Sequence, residues 1–161
     1  MEVKLLRANI ADAKEIHTMQ VEAFRELLEK YQDFELNPGN ESVEKIEARL
    51  QQSFTFFYFI CIGQQKVGAI RIVDKKEAGK SKRISPLFVL PEFRGHGIAQ
   101  KAIRLCEEIH GNENWELGTI LQEPKNCYLY EKMGYQKTGA TKVINSKLTL
   151  VFYEKKAADR T

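Results

Sequence analysis

The stretch LFVLPEFRGHGIAQKAI, from Leu87 to Ile103, constrains this chain more than any other. A run of apolar residues, Leu87 to Leu90, stops at Pro91. A charged turn holding Gly95 and Gly97 follows, and apolar residues at helical spacing begin at Ile98. Strand, turn and helix in direct succession predict a sheet covered by helices. Glycine ends helices more often than it starts them. Two glycines ahead of a helix therefore imply a backbone that curls closely around something.

The rest of the chain is read around that unit. Val3 to Leu6 is a strand, and Asn9 caps a long helix with Asp12 in its first turn. Ala13, Ile16, Met19, Ala23, Phe24, Leu27 and Leu28 recur at three- and four-residue steps along that helix. LNPGN (Leu36 to Asn40) breaks the chain before a second helix that turns Val43, Ile46 and Leu50 inward. Phe54 to Ile62 and Val67 to Val73 read as a hairpin around Gly63-Gln64-Gln65-Lys66, its aromatic run forming core. Ile84 to Leu90 is the next strand. Ile98 to Ile109 is a helix with Ile98, Ala102, Ile103, Leu105, Cys106 and Ile109 inward, stopped by Gly111. A strand from Trp115 to Gln122, a short helix from Pro124 to Met133, and two strands (Tyr135 to Val143, Leu148 to Glu154) complete the order β-αα-βββ-α-β-α-ββ. The fold class is α/β (α+β), a mixed and mostly antiparallel sheet flanked by helices. Residues 1–154 read as one domain and 155–161 as a tail.

Charge excludes some functions. The chain's 161 residues carry 25 basic and 22 acidic side chains, a formal +3, too balanced for a nucleic-acid surface. Asp74 to Arg83 (DKKEAGKSKR) is the densest basic segment and reads as a solvated loop. No apolar run reaches the roughly 18 residues of a membrane span, and the first residues lack a signal peptide's apolar core, so the expected compartment is the cytoplasm. Cys61, Cys106 and Cys127 form no CxxC pair, so neither a disulfide framework nor a metal site is expected. Cys106 and His110, four apart on a helix, read as packing and dipole residues.

Three phosphate-binding readings of the glycine turn compete. A dinucleotide fingerprint fails because Gln100 stands where the third glycine is needed. GKS at Gly79 to Ser81 fails as a P-loop because Asp74 replaces the first glycine and a strand follows. The third fits. Arg94-x-x-Gly97-x-Ala99, between a strand and a helix, resembles the Q/R-x-x-G-x-G/A signature of the GCN5-related N-acetyltransferases (GNAT). Successive amides in a curled turn form an anion nest, and a helix N-terminus adds positive charge. NCYLYEKMGYQKTG (Asn126 to Gly139) resembles the family's later motif, an Asn before a helix that carries a Tyr and ends in Gly-Tyr.

The resemblance implies acetyl transfer from acetyl-coenzyme A, as co-substrate, to a primary amine. It implies pyrophosphate binding by Arg94, Gly95, His96, Gly97, Ile98 and Ala99, cofactor contacts from Asn126, and main-chain pairing of the pantetheine arm with Phe88 and Val89. It makes Tyr130 the proton donor to the departing thiolate, with Tyr128 the local rival. The base is open. Many members carry a glutamate on the strand before the turn, where this chain has Arg83, Ile84, Ser85 and Pro86; Glu123 and a water relayed from backbone or Ser85 are the substitutes. Phe24, Tyr31, Phe34 and Glu35 are the candidates for the acceptor pocket. The acceptor is a small-molecule or protein amine, and neither nucleic acid nor membrane is expected as a partner. Homodimers are common in the family, and the final hairpin supplies an edge for one. The alternative is a sensor or interaction module that binds acetyl-coenzyme A without transferring it.

Overall fold

A computed structural model describes residues 1–157; the end of the expected tail, residues 158–161, lies outside the described residues. The seven strands are β1 (Val3–Arg7), β2 (Thr55–Ile62), β3 (Gln65–Val73), β4 (Lys82–Val89), β5 (Trp115–Ile120), β6 (Gln136–Val143) and β7 (Thr149–Lys155). The helices are α1 (Ala13–Tyr31), α2 (Val43–Leu50), α3 (Ile98–His110) and α4 (Pro124–Lys132). The sheet order is β1-β2-β3-β4-β5-β7-β6, and β4–β5 is the parallel pair among otherwise antiparallel neighbours.

Local chemistry sets the element ends. Asn9 and Asp12 form a reciprocal capping box ahead of α1, each side chain accepting from the other end's main chain. Ser42 caps α2 by accepting from Lys45 N. The hairpin between β2 and β3 closes over only Gly63 and Gln64, tighter than the expected four-residue turn, because Gly63 adopts φ 59°.

Each sheet face has its own core. Phe57, Phe59, Ala69, Phe88 and Leu90 meet Ile16, Met19 and Ala23 of α1 and Ile46 of α2. Ile60, Ile70, Ile72, Val89, Trp115, Leu117 and Tyr153 meet α3 and α4 on the other side through Ile103, Cys106 and Tyr130. Burying each large side chain contributes about 1.5–3 kcal/mol. Ile109 departs from the expected pattern: it is 57% exposed, on the outer side of the last turn of α3.

Asp74 also differs from expectation. Asp74 is buried rather than part of a solvated loop, and Lys82 and Arg83 already belong to β4. The Asp74 carboxylate pairs with His110 Nδ1 at 2.8 Å, and His110 Nε2 meets the Tyr58 hydroxyl at 2.9 Å. Burial removes water from the imidazole, so only partners of this kind make its enclosure tolerable.

Candidate active site

The parallel pair β4–β5 creates the site by coming apart. Only Lys82↔Trp115 and Arg83↔Glu116 are in register; above them the strands share no pairs. Pro86 has no N–H to give a neighbour, and β4 carries an extra residue against β3 between Ile84 and Leu87. Gly68 then lets the top of β4 press onto β3. A Cβ there would lie 2.2 Å from the Phe88 carbonyl oxygen and 3.0 Å from Val89 Cα.

Main-chain alternation fixes what β4 presents to the gap. Leu90 N donates to Val67 O at 2.8 Å, so the peptide groups of Phe88 turn to β3 and those of Leu87 and Val89 turn outward, toward the splay. The Val89 carbonyl agrees, accepting from Arg94 Nε at 3.0 Å on that outer side. Phe88 sends its side chain to Phe24, ring centroids 5.7 Å apart. Leu87 is thus a main-chain donor that the motif did not single out; strand alternation was the signal for it.

At the open end β4 leads into the glycine turn. Gly95 and Gly97 take φ 83° and 72°, values that favour glycine, and a Cβ at either would meet nothing within 4 Å. Among the described residues no hydrogen bond occupies the N–H groups of Gly95, His96, Gly97, Ile98 or Ala99. They lie at the N-terminus of α3, where intrahelical acceptors are lacking and the dipole is positive. Such a curl can hold a pyrophosphate through its amides. The Arg94 guanidinium is engaged elsewhere, donating to Val89 O and, at 2.7 Å, to Ala23 O. It ties α1 to the end of β4 and so fixes where the curl begins.

Across the gap, Pro124 opens α4, which carries Asn126 half-buried in its first turn and Tyr130 one turn on. The Tyr130 ring sits among Tyr135 and Tyr153, at 6.0 and 6.2 Å between centroids. Burial, with a smaller contribution from Cys127, pushes its phenol above the usual range, so it stays protonated at neutral pH. Tyr128 is 67% exposed and points away from this cluster.

Glu123 sits just before α4 and is not a bare carboxylate. Its Oε2 accepts from the Tyr31 hydroxyl at 2.5 Å and from Lys30 Nζ at 2.9 Å. Burial pushes Glu123 up, but the bonds from Tyr31 and Lys30 outweigh it and leave it below the usual carboxylate range. Asn145, from the β6–β7 turn, donates to Tyr31 O at 2.9 Å. The end of α1, the β5–α4 loop and the β6–β7 turn therefore meet at Tyr31. Lys30 and Asn145 carry no local signal for this, since their partners lie 93 and 114 residues away. Of the other pocket candidates, Phe24 is half-buried against Phe88, while Phe34 and Glu35 stand exposed in the loop after α1.

Cys106 is fully buried, and burial pushes its thiol up to about 12, which makes it an inert core side chain. Among the described residues no group of His, Cys, Asp or Glu side chains is arranged to hold a metal ion, and no helix is long and apolar enough to cross a membrane.

The model of the acetyltransferase (GNAT) family matches residues 15–135, three quarters of the chain, including β4, the glycine turn and Tyr130. The chain belongs to the GNAT family. It is an acetyl-coenzyme A-dependent N-acetyltransferase with acetyl-coenzyme A as co-substrate. No curated protein matches it in sequence. Solved structures share the fold at low identity. An acetyltransferase from Thermus thermophilus superposes with a TM-score of 0.72 at 16% identity, over 96% of this chain and 97% of the other. The microcin C7 self-immunity acetyltransferase MccE, in complex with acetyl-CoA and AMP, gives 0.73 at 16% identity, over 97% and 93%. The PaiA N-acetyltransferase from Thermoplasma acidophilum, in complex with coenzyme A, gives 0.73 at 14% identity, over 96% and 99%.

Proposed function

We propose that this GNAT enzyme acetylates a primary amine by direct attack on the thioester of acetyl-coenzyme A lying along the outward edge of β4. The observation that carries this reading is a track with free main-chain donors at its two ends, interrupted at Leu90, Phe93 and Arg94, whose amides are already bonded. It runs from the amides of Gly95, His96, Gly97, Ile98 and Ala99, for the pyrophosphate, to the outward-facing strand at Val89 and Leu87. Arg94 holds the track in place, Phe88 anchors it to the core, and Asn126 faces the pantetheine arm from α4.

In the reaction the amine nitrogen bonds to the acetyl carbon and the C–S bond breaks. An N–H of β4 stabilises the charge that develops on the carbonyl oxygen. Tyr130 gives its proton to the thiolate; its raised pKa suits a donor rather than a base. The ammonium proton leaves through water at Ser85 on β4; Glu123, held by Tyr31 and Lys30 beyond the far end of β5, is the weaker route. Glu123 is held ionised by two donors and is therefore a weak base. The acceptor is a small-molecule or protein amine. β6 is exposed at all its positions, and a second copy pairing on that edge is the homodimer this reading includes.

Thermal unfolding with acetyl-coenzyme A, desulfo-coenzyme A, ATP or NAD tests the cofactor site. Ligand at about 100 times its Kd stabilises by about 2.7 kcal/mol, raising the midpoint by roughly 5–10 °C. A rise with the coenzyme A compounds alone supports the track. No rise, or a larger one with ATP or NAD, overturns it. Thioester consumption with a panel of amines then identifies the class of acceptor.

A further inference from the structure

The helices α1 and α2 pack over β2, β3 and β4. Farther across the same face, over β5, β7 and β6, lies an open trough of about 280 Å³. Arg83, Glu116, Gly118, Phe152 and Glu154 line it. Gly118 forms the floor, with the Phe152 ring lying where a Cβ would come within 3.0 Å.

The position of this trough matters more than its size. Arg83 and Glu116 are the last register partners of β4 and β5, so the wall they form is the closed end of the splay. A cofactor with its pyrophosphate at the glycine turn directs its thioester down β4 toward that wall, and the strand from Ser85 to Val89 spans roughly 13 Å.

The charges there are unusual. Arg83 and Glu116 are α-carbon partners of opposite sign, yet among the described residues neither makes an ion pair or a side-chain hydrogen bond. Glu154, opposite Glu116 in register, is already paired with Lys156 at 3.6 Å. Behind Arg83 stands Arg71, 8% exposed. Its guanidinium donates to Ser85 O at 2.9 Å, Gln52 Oε1 at 3.3 Å and Thr55 Oγ1 at 3.4 Å, all neutral, and its Nε is buried with no partner among the described residues. Burial, then repulsion from Arg49, lowers it to about 10, with Arg83 adding to the repulsion and Glu41 opposing it. Arg71 therefore raises the positive potential behind Arg83, and among the described residues no carboxylate contacts either cation.

We propose that this trough is the acceptor subsite and that it takes a small amine carrying its own carboxylate, an α-amino acid or close analogue. The carboxylate pairs with Arg83 under the field of Arg71. The amino group rests at Glu116, facing the thioester end of the cleft, and the side chain lies along the Phe152 ring. An amine without a carboxylate leaves Arg83 unanswered. This inference rests on the acetyl-transfer reading above, and its test keeps the two apart.

The test is isothermal titration of the full chain saturated with coenzyme A. The probes are glycine, L-serine, L-leucine and L-methionine, set against L-leucinamide, putrescine and spermidine. The expected result is binding of at least one amino acid, weakened tenfold or more by Arg83→Gln and by Glu116→Gln. Both positions line an open trough, so both variants should fold, and their coenzyme A affinity should stay within twofold. L-Leucinamide should bind tenfold or more weaker than L-leucine to the native chain, and that gap should vanish in Arg83→Gln. Preference for the diamines, equal binding of acid and amide, unchanged affinity in the variants, or no amino acid bound would each overturn the proposal. Failure of coenzyme A itself to bind would instead overturn the acetyl-transfer reading.

Discussion

The two ends of the β4–β5 pair are built on opposite principles. At the open end the groups proposed to hold the cofactor are main-chain amides that the fold leaves without partners among the described residues, at Gly95 to Ala99. At the closed end every bond pins something. Lys82 N donates to Asn114 O at 2.8 Å, Lys82 Nζ to Glu113 O at 2.7 Å, and Trp115 Nε1 to Gly111 O at 2.8 Å. The buried His110 links Asp74 and Tyr58 beside them. A parallel pair held for only two residues would otherwise close up or fall apart, because unpaired strand edges seek partners. The closed end is what lets the open end keep its donors free. A constant ligand such as a coenzyme can be met by backbone, which depends on few side-chain identities. In the proposal above the acceptor is met by side chains, those of Arg83 and Glu116.

The largest expected effect breaks the open end chemically and leaves its structure intact. Tyr130→Phe removes one hydroxyl and keeps the ring among Tyr135 and Tyr153. Turnover should fall roughly 10²–10⁴-fold, about 3–5 kcal/mol in the barrier, while the Kd for acetyl-coenzyme A stays within a few-fold. Steady-state kinetics and a binding titration on the same preparation give both numbers. Unchanged turnover would move the proton donor elsewhere.

Next in size is a test of whether β3 holds the cofactor strand in position. Gly68→Ala sets a methyl group against the Phe88 carbonyl and Val89 Cα, and neither backbone atom can rotate out of the way. Overpacking of this kind costs about 1–3 kcal/mol. The strain falls where Leu87 and Val89 turn their peptide groups to the splay, so the melting temperature and the coenzyme A affinity should drop together. A lower melting temperature with native affinity would show that β4 tolerates displacement and that the track is less strict than its geometry implies.

The open end was legible in the sequence because its parts are adjacent: a strand, two glycines and a helix within seventeen residues, Leu87 to Ile103. The Asn9 cap and the stop at Gly111 were readable for the same reason. What escaped was long-range. Asp74 opens a charged run that reads as solvent-facing, and only the arrival of His110, 36 residues on, makes it a core residue. Gly68 looks like an ordinary break in a strand until β4 is pressed against it. Glu123 looks like a free carboxylate, and Tyr31, 92 residues earlier, shows otherwise. Arg83 looks like the tail of a basic loop, and its pairing with Glu116 puts it at the bottom of the cleft.

The smallest effect sharpens the picture of the closed end through pH. Burial lowers the His110 pKa below its ordinary 6.5; the hydrogen bond and charge of Asp74 pull it back up, and Lys76 and Lys82 push it down again. Tyr58 and the rings of Phe56 and Trp115 face it from β2 and β5. The folded imidazole thus binds its proton less readily than the unfolded one. As pH falls through 6.5 the unfolded chain takes up the proton first, so stability is full above that pH and declines below it, down to the folded pKa. Urea melts between about pH 7.5 and 5.5 should show the midpoint falling on acidification, and His110→Gln should flatten the slope while lowering stability at every pH. A native slope of the opposite sign would mean that Asp74 outweighs burial and holds the ring as imidazolium. The closed end would then be held by an ion pair rather than by a neutral imidazole between Asp74 and Tyr58.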